Sequence, residues 1–228
     1  MDDYMSEKEQ VEALRQWWNA NGRYVIAGLV VGVAGVTGWQ QWELHQTRLA
    51  QAASDSYEAV QQAVVAGDAE AAATLAETLR TAYPRTAYPA QAALLTAMAW
   101  VEASDLDRAA TDLAWAMEHS GDAALAHVAR LRLARVQLAL GEVAAADATL
   151  AVESAGAFEP LFDEVRGDVA YARGDLAAAR AAYARALEGM GSGIGDRQGV
   201  EMKMQDVTVV TVGAEPAVDA DADMGADG

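Results

Sequence analysis

The sequence contains no cysteine, 2 phenylalanines and 4 prolines in 228 residues. Without cysteine there is no disulfide scaffold, no thiolate zinc site and no cysteine nucleophile. Basic residues are also scarce: Lys+Arg is 16 against 34 Asp+Glu, a net charge of −18. A general nucleic-acid binder needs a basic footprint, so that class is disfavoured. β-Branched runs are sparse, whereas alanine is in large excess, which favours helix over sheet. Hydrophobic residues nevertheless make up 53% of the chain and charged residues 22%, which excludes a mostly disordered protein.

Chemistry-bearing patterns are missing as well. His45, His119 and His127 form no H-E-x-x-H and no ligand pair four residues apart. There is no phosphate-binding P-loop and no G-x-S-x-G nucleophile turn. The carboxylates fall on solvated helix positions, and no pair stands out as an acid/base couple. No catalytic residue, metal site, cofactor or small-molecule substrate is assigned.

The long apolar run near the start is the clearest signal present. Tyr24 to Trp42 is 19 residues without a charge, closed by Arg23 and Glu43. As a helix it extends roughly 28 Å, close to the hydrocarbon thickness of a bilayer. Tyr24, Trp39 and Trp42 lie near its ends, where amphipathic rings prefer the headgroup level. A buried core helix would need neither feature. The leader before it is acidic and the run ends in bulky tryptophans, so an uncleaved anchor fits better than a signal peptide.

Lys8, Arg15 and Arg23 precede the run and Arg48 follows it, which places the N-terminus in the cytoplasm and the C-terminal part outside. Gly28 and Gly32 form GxxxG, with Gly35 on nearly the same face. They suit close helix pairing in lipid, although glycine is common in membrane helices in any case. Ahead of the run, Ser6 and Glu9 make a capping box. Val11, Leu14, Trp17 and Trp18 follow at helical spacing, and Asn19-Ala20-Asn21-Gly22 is expected to break that helix.

The rest of the chain repeats. Ala134, Gly141, Ala146 and Leu150 precede Gly167, Gly174, Ala179 and Tyr183 by 33 residues each. Ala97, Ser104, Ala109 and Leu113 lie 37 residues before the first of these sets, and Gly67, Ala72 and Ala76 lie 37 earlier again. This is tetratricopeptide spacing, with turns at Gly67, Ser104, Gly141 and Gly174 and small residues where paired helices close. Tyr183 is expected between the two helices of the last unit.

The predicted fold is therefore all-α: one N-terminal transmembrane helix followed by a tetratricopeptide-like helical-repeat solenoid. The expected division is 1–23 cytoplasmic segment, 24–42 membrane helix, 43–212 repeat domain and 213–228 acidic disordered tail. Residues 200–212 read equally as short helix, strand or docking segment.

In such repeats the first helix of each unit lines a groove. That frame puts Leu94, Met98, Leu131, Arg135, Leu138, Asp168 and Tyr171 on the groove side. Leucines with isolated charges suit a peptide or partner helix, or else a neighbouring helix of the same chain. Arg130, Arg132 and Arg135 read as a solvated face pairing with nearby acids. Arg166-Gly167-Asp168 lies inside a predicted helix and is not an adhesion motif.

Several blocks together resemble the YfgM family, ancillary subunits of the bacterial SecYEG translocon. They are Tyr4, Gln10 to Arg15 with Trp17-Trp18, Asn21-Gly22, the glycine-rich run, Gly38 to Trp42, Leu131 to Gln137, and the Arg166-Gly167-Asp168 … Arg173-Gly174-Asp175 repeat. The Asp-rich tail departs from the family pattern. The resemblance implies a single-pass inner-membrane protein with a periplasmic repeat domain. It also implies association with SecYEG and the membrane-anchored chaperone PpiD, delivery of translocated chains to periplasmic folding factors, and restraint of an envelope stress response. The residues themselves reach only a membrane-anchored repeat adaptor or, alternatively, a self-associating scaffold of an envelope assembly complex.

Overall fold

The computed structural model describes residues 7–191 and 195–213. Among them are nine α-helices, one 3-10 turn and no strand. The helices are α1 (Glu7–Val65), α2 (Ala69–Ala82), α3 (Tyr88–Glu102), α4 (Leu106–His119), α5 (Ala123–Ala139), α6 (Val143–Thr149), α7 (Glu159–Ala172), α8 (Leu176–Gly189) and α9 (Arg197–Gly213). The chain forms two compact units, residues 1–53 and 54–228.

The first unit is the N-terminal part of α1, which is long and apolar enough to cross a membrane. Its aliphatic side chains, Val25, Ile26, Leu29, Val30, Val31, Val33 and Val36 among them, are exposed, as are Tyr24, Trp39 and Trp42. An apolar surface of this extent in water would drive association, whereas in lipid it is satisfied. The polar groups along it are paired locally. The Thr37 hydroxyl donates to the Val33 carbonyl at 2.8 Å, and Arg23 donates to the Tyr24 hydroxyl at 2.9 Å.

The expected break at Asn19 to Gly22 does not occur; α1 runs straight through it. Asn21 donates its amide to the Trp17 carbonyl at 3.1 Å, and the Trp18 ring lies 3.2 Å from where a Gly22 Cβ would stand. Together these contacts offset the weak helix propensity of Asn and Gly.

The second unit is the repeat stack. Each hairpin turns at a residue with positive φ: Gly67 (75°), Ser104 (60°), Gly141 (79°) and Gly174 (77°). These are the four turns predicted by spacing. In each, the next residue donates back to the carbonyl five residues earlier: Asp68 to Ala63 at 3.0 Å, Asp105 to Trp100 at 2.8 Å, Glu142 to Gln137 at 2.8 Å and Asp175 to Ala170 at 3.0 Å. This closure satisfies orphan carbonyls at the helix end and requires a left-handed residue. Asp68, Asp105 and Asp175 then cap the following helix, accepting from the Ala71, Arg108 and Ala178 amides. Glu142 makes no such bond, and α6 behind it is the shortest helix of the stack, with 7 residues.

Small residues sit buried where the helices cross: Ala97, Ala134 and Gly167 on the first helices, and Ala72, Ala109, Ala146 and Ala179 on the second. Leu113, Leu150 and Tyr183 fill the space between them. Gly167 lies directly beneath the Tyr183 ring, where any Cβ would fall well inside contact distance. One core cluster centres on Phe162, with Leu131, Leu150, Val165 and Val169. Another joins Tyr183, Ala186 and Met190 of the last hairpin to Val200 and Val207.

Residues 200–212 thus belong to a helix, α9, docked on α8. The tail from residue 214 and residues 192–194 of the expected flexible joint lie outside the described residues. Arg166, Gly167 and Asp168 are part of α7, as anticipated.

Candidate functional site

The groove-side residues divide into three groups. Leu94 and Met98 of α3 and Arg135 of α5 come together. With Ala97, Val101, Leu113, Arg132 and Val136 they line an open pocket of about 340 Å³. Its walls are aliphatic, and Met98 (42% exposed) and Val101 (44%) present their side chains to solvent. Arg132 and Arg135 form the cationic part of the lining. Arg132 makes no hydrogen bond or ion pair among the described residues. Arg135 holds Glu164 at 3.3 Å.

Leu131 and Leu138 do not reach the groove. Leu131 is 4% exposed and packs with Phe162, Val165 and Val169, and Leu138 leans on the same cluster. The side of α5 that carries them faces α6 and α7, so both belong to the core.

Asp168 is occupied. It accepts from the Tyr183 hydroxyl at 2.8 Å and from Lys203 of α9 at 2.8 Å. Lys203 also donates to Glu164 at 2.8 Å. One polar chain thereby runs from Arg135 through Glu164 and Lys203 to Asp168 and Tyr183, joining α5, α7, α9 and α8. Burial alone would lower the Lys203 pKa, but the Asp168 and Glu164 hydrogen bonds outweigh it and hold the ammonium above its ordinary value. Burial, and then the neighbouring Asp168 charge, push the Tyr183 phenol far above its ordinary value. Neither group is poised for acid/base work near neutral pH. Tyr171 is exposed on α7 and lines no part of the pocket. α9, docked on α8, thus reaches across to α7 through Lys203, while between α3 and α5 the groove is open.

A second buried polar centre ties α2, α3 and α4. The Asp112 carboxylate accepts from Arg80 at 2.5 Å, Thr96 at 2.7 Å and the Trp100 indole at 3.1 Å. Arg80 also lies over the Trp115 ring at 4.3 Å. With three donors on the carboxylate, this centre holds helices together; the Asp112 carboxylate is fully engaged, and the buried Arg80 Nε is left without a hydrogen-bond partner. Among the described residues no group of three His, Asp or Glu side chains is placed to hold a metal ion. His119 stacks on Trp115 and His127 packs on Phe158 and Phe162.

Of the expected basic face, Arg135 pairs with an acid as anticipated. Arg130 is half-buried with an unpaired Nε, and Arg132 stands at the pocket. Sequence reasoning missed Val101, Arg132 and Val136 as lining residues. The signal was the spacing itself: 94, 97/98, 101 on one helix and 132, 135/136 on the other. On the membrane helix, Gly28 and Gly32 line a shallow trough with Val25, Leu29, Val33, Val36 and Thr37, whereas Gly35 is not part of it.

These features define the class: a tetratricopeptide-like repeat protein built behind an apolar helix, with an apolar, cation-flanked pocket on its groove side. A family model described as tetratricopeptide repeat-like domain matches residues 15–209. The chain is 32% identical to the ancillary SecYEG translocon subunit of Escherichia coli (strain K12), over 80% of this chain and 88% of that protein. It is 30% identical to the protein of the same name from Haemophilus influenzae, over 89% of this chain and 98% of that one. The Neisseria gonorrhoeae protein of that name is 28% identical over 91% of this chain and its own full length. The chain belongs to this family of ancillary SecYEG translocon subunits.

Proposed function

We propose that the chain is a single-pass inner-membrane adaptor that associates with the SecYEG translocon and works by binding, without catalysis. The observation that carries this reading is the joining, in one chain of this family, of a bilayer-length apolar helix to a repeat stack whose groove is open between α3 and α5. The Lys and Arg bias around the apolar run supports a cytoplasmic N-terminus and a periplasmic repeat domain. The resemblance supports PpiD as the chaperone partner, hand-over of translocated chains to periplasmic folding factors, and a part in envelope stress signalling. Leu94 and Met98 supply apolar contact for the partner, and Arg135 orients an acidic group on it.

The test is capture from cross-linked membranes with a tagged full-length chain. SecY, SecE, SecG and PpiD are expected. Recovery of further copies of the same chain alone would replace the adaptor by the self-associating scaffold, for which the Gly28/Gly32 trough is the natural contact. Met98→Asp with Arg135→Glu should weaken chaperone capture while far-UV circular dichroism is unchanged. Undiminished capture by that folded variant would move the contact away from the groove.

A further inference from the structure

α3, α5 and α7 are successive first helices of the repeat units, and their charges form a pattern with one gap. α7 offers acids to cations on two other helices. Arg135 of α5 holds Glu164 at 3.3 Å, and Lys203 of α9 reaches Glu164 and Asp168 at 2.8 Å each. α3 offers nothing comparable to α5. It has no charged residue before its last, Glu102, which is not part of the pocket lining. Arg132, one turn before Arg135, therefore has no ion-pair partner among the described residues, and Arg135 shares its one acid with Lys203. In a chain of net charge −18, the α3–α5 pocket is lined by two arginines, six apolar residues and no acid.

The shape of the lining selects the conformation of an occupant. Leu94, Met98 and Val101 form one stripe along α3, roughly 10 Å long at about 1.5 Å per residue. Arg132 and Arg135 form a parallel cationic stripe on α5, with neighbours at this spacing about 5–6 Å apart. Two carboxylates three or four residues apart on a helix have the same separation. An extended segment faces a different problem. The lining offers its backbone two guanidinium groups and no acceptor side chain, so its N–H groups would lie unpaired against an aliphatic wall. A helix satisfies its own backbone and presents only side chains, the helix-in-groove mode.

We propose that the α3–α5 pocket recognises a short amphipathic helix of a partner protein, aliphatic and acidic on its contact face. Its large aliphatic side chains enter between Leu94, Met98, Val101 and Val136. Two carboxylates one turn apart pair with Arg132 and Arg135. Arg132 is the principal anchor, because its new pair displaces no existing one. The net charge of −18 disfavours an acidic helix over the rest of the surface, so the arginines also set where it lands. This occupant presupposes the adaptor reading of the groove and adds the chemistry that the partner must carry.

The test uses the full-length chain in nanodiscs and fluorescein-labelled, stapled helical peptides, with binding read by fluorescence anisotropy. The probe has Leu at i and i+4 and Glu at i+1 and i+5 on an alanine background. Two companions carry Gln or Lys in place of Glu, and a third is an unstapled, proline-interrupted form of the Glu peptide. The Glu helix should bind, the Gln helix about tenfold more weakly and the Lys helix more weakly still. The preference for Glu should fall as salt is raised, because both arginines are exposed. Arg132→Glu should abolish the preference, whereas Arg132→Lys should keep it. Arg132 makes no internal contact that either substitution would break, and circular dichroism checks the fold. Absence of binding by the Glu helix up to about 1 mM overturns the proposal. So does a Glu preference that Arg132→Glu leaves unchanged, or equal binding of the proline-interrupted peptide. The assay contains no translocon or chaperone, so its failure is separable from that of the adaptor reading. If Arg132→Glu lowers chaperone capture from membranes while the peptides show no charge preference, the groove stands and this chemistry falls.

Discussion

Gly167 and Tyr183 offer the sharpest test of the repeat packing. On helix propensity alone, Gly167→Ala inside α7 should stabilise by about 1 kcal/mol. Here the new methyl meets the Tyr183 ring well inside contact distance. The ring cannot retreat easily. It is 2% exposed, and its hydroxyl is tied to Asp168 at 2.8 Å. Overpacking of this kind costs about 1–3 kcal/mol, and with a hindered ring the upper end applies. The net expectation is a loss of about 2 kcal/mol after the propensity gain is subtracted.

Tyr183→Ala by itself should cost about 3–5 kcal/mol, as large aromatic truncations in a core do. In that background the clash is gone, so Gly167→Ala should stabilise by about 1 kcal/mol. The same substitution thus changes sign between the two backgrounds, with a coupling near 3 kcal/mol, at the top of the range for contacting residues. The assay is native-state hydrogen exchange on peptides from Glu159–Gly189 in the full chain, which reads the last hairpin locally. If Gly167→Ala is neutral or stabilising in both backgrounds, Tyr183 does not pack against α7 as described.

A turn, a cap and an ion pair give three further expectations. Ser104 is the non-glycine residue among the four left-handed turn positions, so Ser104→Gly should raise stability by about 1 kcal/mol in a thermal melt, and a loss would mean that the Ser side chain holds the turn. Glu142 lacks the capping bond that Asp68, Asp105 and Asp175 make, so Glu142→Asp should add roughly 0.5–1 kcal/mol and increase amide protection at the start of α6. The Arg166 hydrogen bond holds the Glu159 carboxylate below its ordinary range. Its stabilisation is therefore complete above an unfolded value of about 4.3 and is lost as pH falls through the lower folded value. Glu159→Gln should cost less than about 1 kcal/mol at neutral pH, this being a partly exposed pair, and the difference from wild type should shrink steadily in urea melts taken toward pH 3.

The four turns were legible in the sequence because a helix ending in a left-handed residue needs glycine. Ser104, 37 residues from both Gly67 and Gly141, then stood out as the fourth turn. The small residues at 97, 134 and 167 were legible for the same kind of reason, since close helix crossings admit no side chain there. By contrast, α9 was hidden. Val200, Lys203, Met204 and Val207 do recur at helical spacing, but the alternating Val-Thr-Val-Val-Thr-Val behind them reads equally as strand. What decides it is tertiary: Val200 and Val207 bury against α8, and Lys203 reaches two carboxylates on α7.

The pocket was half legible, and α5 shows why. A middle helix of a repeat stack touches neighbours on several sides, so its apolar residues wrap nearly the whole helix: Leu131, Leu133, Ala134 and Val136 are all buried. Periodicity identifies a groove side only when one side is apolar and another polar. On α5 it could not separate Leu131, which belongs to the Phe162 core, from Val136, which lines the pocket one turn further along. The arginines carry the missing information. In a helix that is apolar nearly all round, Arg132 and Arg135 mark the side open to water, and the pocket lies where that side meets Met98 and Val101 of α3. Charge on an otherwise apolar repeat helix is therefore the better guide to its groove than the leucines are.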